Sequence, residues 1–474
     1  MRNPAFVTLL ARSFLGGEQT VEQIVARCKP VSGEHWSWLP SLAQKYIERF
    51  VGKTRPRQAD VVAFLHRHRE VWKASQKYGR QLPLTQWLAE PQRMQPVTAA
   101  RAWKLPAIES VGGLSDWLGV SVGDLEWFAD LKGLLRLSAD RQLNHYNYRM
   151  LVKDSGSIRL IESPKLRLKD LQRQILTQIL DYVPPHPSVH GFVKERSIKS
   201  CVGPHVGQRV ILRMDLQDFF PSFPARRIQT MFRTLGYPES VADLLGGICT
   251  NFAPASIFGK EKFNPPLSLQ TRQWCRDLYC RPHLPQGAPT SPSLANICSY
   301  RLDCRLAGLA KAAGAKYTRY ADDLAFSGGK DFENGAERFS IHVATILMEE
   351  GFHVNHRKTR IMRQGVRQHL VGVVTNQHPN VIRADFDRLK AILTNCVRFG
   401  PESQNREAHA HFRQHLEGKV SFVESINPLK GPARAKFAEQ NKLASGANIV
   451  KWPSSEGYFP SHAVNLTKKI HRSF

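Results

Sequence analysis

The stretch Tyr317-Thr-Arg-Tyr320-Ala-Asp322-Asp323-Leu-Ala-Phe326 constrains this chain more than any other. Its Tyr, Thr and Phe residues suit a half-buried pleated surface, and Ala321-Asp322 suits a tight reversal. The stretch therefore predicts a hairpin with two acids at its turn. Adjacent carboxylates with no lysine near them in sequence are costly unless a cation sits against them. Mg²⁺ is the natural partner, since it takes one or two carboxylates and phosphate oxygens besides. An Asp-Asp pair is also an ordinary surface turn, so the tetrad Tyr320 to Asp323 gains meaning only from its context. That context is a third acid, a nucleotide pocket and a nucleic-acid surface.

The surface comes from the charge. Of the 474 residues, 67 are Lys or Arg and 40 are Asp or Glu, a formal net charge of +27. The basic residues run along the whole length, which fits a long polyanion-binding face. No apolar run approaches the roughly 18 residues a membrane span needs, so nucleic acid is favoured over a membrane. An apolar content of 42% is that of a globular chain, long enough for two or three domains. The eight cysteines form no Cys-x-x-Cys pair, which indicates neither a zinc module nor a disulfide framework. Cys275, Cys280 and His283 lie close together but lack a fourth ligand, and they read as structural. The apolar stretch Phe6 to Leu10 is too short for a signal peptide, so a reducing cytoplasm is the expected compartment.

The first 115 or so residues read as helical, with apolar spacing in Ser41–Phe50 and a further helix from Asp60. Gly119 reads as a helix stop, and Ser121 with Asp124 as a capping pair. A packed helical pair is the favoured reading there over a groove-reading motif. From Tyr146 the pattern changes to a hairpin, Tyr148–Lys153 and Ile158–Ile161, followed by a helix over Asp170–Leu180. Lys153 and Arg159 on that hairpin suit either a triphosphate clamp or a solvated basic face. Val210–Met214 is a buried-strand run that delivers Asp215, the third acid. Asp218 reads as a turn residue, and Pro221 ends the strand. Residues 252–282 read as an irregular insertion. Leu284-Pro-Gln286-Gly287 forms a rigid turn offering an amide to a ligand, and a long helix starts at Ser291-Pro292. Helix is expected over Phe332–Glu350 and a short strand within Arg367–Thr375. From Asp385 an amphipathic helix runs to Gly400, and another spans His411–Ile426.

In this order the blocks resemble those of reverse transcriptases, and among them the bacterial retron type. The resemblance runs from about Tyr146 to Gly400. It takes in the Arg159 hairpin, His190-Gly-Phe192, Asp215–Ser222, Leu284–Pro292, Tyr320–Asp323, Gly351–Thr359 and Leu370–Gly372. It implies an α+β right-hand polymerase: residues 116–380 as fingers and palm, with a mixed or antiparallel sheet and helices on one face. Residues 381–440 would be a helical thumb, 1–115 a helical N-terminal extension and 441–474 a tail. It implies that Asp215, Asp322 and Asp323 hold two Mg²⁺ ions, with Mn²⁺ as a substitute. It further implies that Arg159 and Lys153 bind the deoxynucleoside triphosphate and that Gln286 touches it. Lys358 would protonate pyrophosphate, and Phe220 would crowd a ribose 2′-hydroxyl. Retron enzymes carry Asn-Ala-x-x-His where this chain has Cys201-Val-Gly-Pro-His205, so only His205 remains as a residue tied to RNA recognition. They carry Val-Thr-Gly where it has Leu370-Val-Gly372. The implied function is copying of a structured noncoding RNA into DNA for phage defence, often with a separate effector protein. Other readings are a group II intron-type enzyme, another defence reverse transcriptase, and a noncatalytic RNA-binding scaffold.

Overall fold

The computed structural model describes residues 4–32, 36–78, 91–134, 144–152, 158–259 and 268–428. The chain divides into two units, Met1–His186 with Asp218–Arg301, and Pro187–Gln217 with Leu302–Phe474. The first unit opens with α1 (Pro4–Leu15), α2 (Val21–Ser32), α3 (Leu39–Phe50), α4 (Gln58–Leu65) and α5 (Arg69–Tyr78). Their apolar faces close on a core of their own that buries Phe6, Phe14, Tyr46, Phe64 and Leu65. α6 (Val111–Leu118) stops at Gly119, whose φ of 67° suits glycine. α7 (Val122–Ala129) begins at Ser121, whose hydroxyl accepts from the Asp124 amide while Asp124 accepts in return.

β1 (Tyr146–Val152) and β2 (Ile158–Pro164) pair antiparallel, with Leu151 opposite Arg159. The turn joining them, Lys153 included, lies outside the described residues. α8 spans Leu166–Gln178, earlier than the expected Asp170–Leu180. Pro164 ends the strand, and the buried face begins at once with Leu168 and Leu171.

The chain enters the second unit for α9 (Ile198–Val202) and β3 (Val210–Gln217). It returns to the first for α10 (Ala225–Thr234), α11 (Glu239–Ile248), α12 (Leu269–Tyr279) and α13 (Ser291–Cys298). α12 overturns the expectation of irregular chain across 252–282. Its basic and polar positions hid a face where Cys275 and Tyr279 pack beneath Ile158 and Leu160. The single long helix expected from Ser291 is two, α13 and α14 (Tyr300–Ala312), with Arg227 taking the Cys298 carbonyl at 2.8 Å beside the break.

Within the first unit the opening helices are fastened to α10 and α11. Arg57 reaches Asp243 at 3.1 Å, Arg233 donates to the Arg55 carbonyl at 2.9 Å, and Thr54 meets Thr234 at 2.9 Å. At Gly236, φ 102°, a Cβ would lie 2.2 Å from the Pro96 nitrogen, so only glycine fits there.

The second unit is built on β3, β4 (Lys316–Tyr320), β5 (Asp323–Gly328), β6 (His353–Val354) and β7 (Arg360–Arg363). The order is β4-β5-β3-β6, with β7 also on β3, and every pairing is antiparallel. α15 (Lys330–Glu349) lays Phe332, Phe339 and Leu347 into the core, the Phe339 ring edge-on to Phe326. β8 (His369–Leu370), β9 (Val373–Val374) and β10 (Asn380–Val381) make a smaller antiparallel sheet. The one strand expected within Arg367–Thr375 is therefore a hairpin. Val371 and Gly372 turn it with φ of 49° and 79°, the type I′ pattern. α16 (Arg383–Phe399) and α17 (Phe412–Ile426) pack Leu389, Leu393, Leu416 and Val420 against this sheet. The tail expected over 441–474 lies outside the described residues.

Candidate active site

The sheet register brings the acids together. Asp215 on β3 is the Cα partner of Asp323 on β5, and Asp322 sits on the turn just before β5. The Leu216 amide donates to the Asp322 carbonyl at 2.9 Å, fixing the turn to the middle strand. Asp215 is 3% exposed and accepts from Lys358 Nζ at 2.9 Å and Asn355 Nδ2 at 3.0 Å. The Asn355 amide also donates to the Asp215 carbonyl at 2.8 Å. Arg213, two residues before Asp215 on the same strand face, donates to Asp323 Oδ1 from Nε at 3.0 Å and Nη2 at 2.8 Å. Burial, with the charges of Asp323 and Asp215, pushes the Asp322 carboxyl up to about 7. Crowded anions of this kind are what a cation relieves.

A second layer holds the turn. Ala321 takes φ 54°, a conformation that costs a non-glycine residue about 1–2 kcal/mol. Arg319 Nη1 donates to the Ala321 carbonyl at 3.1 Å, while Nε and Nη2 each reach the Asp303 carboxylate at 2.7 Å. Tyr317 adds its hydroxyl to Asp303 at 2.8 Å, and Arg319 and Asp303 are fully buried. The His190–Phe192 block backs the same turn. The His190 amide donates to the Arg319 carbonyl at 2.8 Å, and the Phe192 ring lies 6.2 Å from that of Tyr320. A Cβ on Gly191 would stand 2.7 Å from the Ala321 nitrogen, which explains a glycine at this place.

His205 corrects an expectation. It is fully buried, with Nδ1 2.7 Å from Ser327 Oγ and Nε2 2.8 Å from Thr318 Oγ1, and burial pushes its pKa down to about 3. It is a neutral tie between the segment after α9 and the sheet, with no face for RNA. Arg159, Phe220 and Gln286 are all half-buried and belong to the first unit. There the Gln286 carbonyl accepts from the Glu162 amide at 2.9 Å.

The reverse transcriptase (RNA-dependent DNA polymerase) family matches residues 151–381. The chain is 38% identical to the retron Mx65 reverse transcriptase of Myxococcus xanthus, over 70% of this chain and 72% of that protein. It is 34% identical to the retron Mx162 reverse transcriptase of the same organism, over 74% and 70% of the two chains. With the retron Ec86 reverse transcriptase of Escherichia coli it shares 30% identity over 68% of this chain and 86% of the relative. This chain belongs to the retron reverse transcriptases.

It is therefore an RNA-directed DNA polymerase, and its fold is the right-hand polymerase fold of that family. Among the described residues no helix of this reverse transcriptase is long and apolar enough to cross a membrane. Sequence reasoning missed Arg213, Asn355 and the Arg319–Asp303 pair as parts of the site. Arg213 was findable, because strand alternation puts it on the face of Asp215. Asn355 and Asp303 were not, since only the folded sheet brings them near. For a divalent ion the hard carboxylate oxygens of Asp215 and Asp322 fit. Among the described residues no three His, Cys, Asp or Glu side chains gather as one ligand set. Mg²⁺, which takes one or two carboxylates and fills its shell with phosphate oxygens and water, would be held here by Asp215 and Asp322.

Proposed function

We propose that this reverse transcriptase copies a structured noncoding RNA into single-stranded DNA as a retron component of phage defence, working in the cytoplasm beside a separate effector protein. The observation that carries the catalytic reading is the meeting of Asp215 and Asp323 across β3 and β5 with Asp322 at the turn between β4 and β5. Two Mg²⁺ ions on Asp215 and Asp322, replaceable by Mn²⁺, would activate the primer 3′-hydroxyl and neutralise the leaving pyrophosphate. Asp323, its Oδ1 held by Arg213, orients the acidic site and offers its second oxygen. Lys358, whose Nζ donates to Asp215 Oδ2 at 2.9 Å, serves as the proton donor to pyrophosphate. Arg159 and Lys153 bind the triphosphate, Gln286 touches the nucleotide, and Phe220 excludes a ribose 2′-hydroxyl. In this reading residues 116–380 are fingers and palm, 381–440 the thumb and 1–115 an N-terminal extension. Priming from a 2′-hydroxyl of the RNA, leaving an RNA–DNA branch, belongs to the same reading.

The test is primer extension on an RNA template with Mg²⁺, comparing wild type with Asp322→Asn. Extension by the wild type, its loss in the variant, and unchanged RNA binding are expected. An inactive wild type that still binds RNA would favour the scaffold reading.

A further inference from the structure

The first unit holds a buried ion pair for which the proposed chemistry has no direct use. Glu162 on β2 and His283, just ahead of the Leu284–Gly287 turn, are both fully buried. His283 Nε2 lies 2.9 Å from Glu162 Oε2, and its Nδ1 lies 2.7 Å from the Arg281 carbonyl. Asn251 Nδ2 donates to Glu162 Oε1 at 2.7 Å and also reaches the Tyr148 hydroxyl at 3.1 Å. The imidazole carries a proton on Nδ1, since the Arg281 carbonyl can only accept, and shares one with Glu162 through Nε2. Burial alone would push its pKa down, but the charge and hydrogen bond of Glu162, with the Arg281 carbonyl, raise it on balance.

A buried ion pair is a poor device for stability, because apolar residues of like volume often do as well. Its position is the informative part. The segment His283–Gly287 is where the candidate nucleotide residues are tied together. The Glu162 amide donates to the Gln286 carbonyl at 2.9 Å, and a Cβ on Gly287 would meet the Glu162 carbonyl oxygen at 2.5 Å. The Leu284 amide donates to the Phe223 carbonyl at 3.0 Å, and the Phe223 amide to that of Phe220 at 3.2 Å. Arg159 stands on β2 itself, three residues before Glu162 and on the strand's opposite face.

We propose that Glu162 and His283 are positioning residues for the incoming nucleotide. Their pair clips the Leu284–Gly287 turn to β2, so that Arg159, Gln286 and Phe220 are presented as one fixed set. This rests on the reading that those three residues contact the deoxynucleoside triphosphate.

The experiment is steady-state extension of oligo(dT) on poly(rA) with dTTP or UTP, alongside thermal melting of each variant. Glu162→Met with His283→Leu removes the clip without stranding a charge. It is expected to raise KM for dTTP about tenfold, keep kcat within about twofold, and weaken discrimination against UTP. Glu162→Gln keeps every hydrogen bond by donating to a neutral His283, whose Nδ1–H still serves Arg281, and should hold KM within about twofold of wild type. Asn251→Ala frees Glu162 Oε1 and the Tyr148 hydroxyl while leaving the His283 contact in place, and it covers the case in which the double variant does not fold; a KM rise of about threefold is expected. Melting lowered with KM and UTP discrimination unchanged in the folded variants would make the pair merely structural and overturn the proposal. Arg159→Ala separates the two ideas. If it leaves KM unchanged, the nucleotide assignment of Arg159 fails. If it raises KM while loss of the clip does not, only the positioning role fails.

Discussion

The Arg319–Asp303 pair predicts a separation of stability from activity. Asp303→Ala removes the carboxylate paired with the guanidinium of Arg319, which is 0% exposed. Removing one partner of a buried pair costs about 3–5 kcal/mol, a large part of the roughly 5–15 kcal/mol that holds a domain together. Hydrogen exchange at the β4 and β5 amides reads the second unit by itself. At about 1.4 kcal/mol per factor of ten, those amides should exchange at least about a hundredfold faster than in wild type. Exchange within about fivefold would refute the energetic argument. The companion variant replaces the whole cluster, Tyr317→Phe, Arg319→Met and Asp303→Leu together. It should recover most of the stability, since apolar replacements strand no charge. Yet it no longer donates to the Ala321 carbonyl, 3.1 Å from Arg319 in wild type. Primer extension should therefore stay about tenfold or more below wild type, the effect of a small misplacement of catalytic groups. Full activity in this variant would show that the tether does not place the acids.

Gly191→Ala forces a Cβ to within 2.7 Å of the Ala321 nitrogen and should lower extension strongly while destabilising the fold by about 1–3 kcal/mol, read by primer extension and melting. Phe220→Val should raise ribonucleotide incorporation about tenfold or more, measured as the ratio of kcat/KM for UTP and dTTP; an unchanged ratio would contradict the gate. His205 titrates near 3 in the fold instead of 6.5. The stability it contributes is complete above about pH 6.5 and is lost as the pH falls towards 3, by about 1.4 kcal/mol per unit. Melting curves of wild type and His205→Gln between pH 6.5 and 4 should therefore differ in slope, the variant falling less steeply; equal slopes would contradict a neutral, buried imidazole.

Local chemistry made much of this molecule legible. The Tyr320–Asp323 hairpin, the strand carrying Asp215, the Ser121 cap and the amphipathic α16 all follow from patterns within a few residues. α12 was missed because its apolar face appears only against Ile158 and Leu160, residues far away in sequence. The Val371–Gly372 reversal was hidden because valine rarely takes a φ of 49°. His205 was misread for a related reason. Polar residues in a recognisable block suggest contact with a ligand, but its partners, Ser327 and Thr318, lie on strands more than a hundred residues away. The acids themselves were readable, whereas the groups that aim them were not, since aim is a property of the folded sheet.

The fastening of the opening helices to α10 and α11 bears on how this enzyme comes apart. Arg233 ends 8% exposed against the Arg55 carbonyl, and Gly236 lies where the Pro96 backbone leaves no room for a side chain. A chain lacking residues 1–115 would uncover those surfaces and leave Asp243 without Arg57. Residues 54–96 and the helices they are fastened to are therefore expected to melt together, read as one transition by hydrogen exchange at the amides of both.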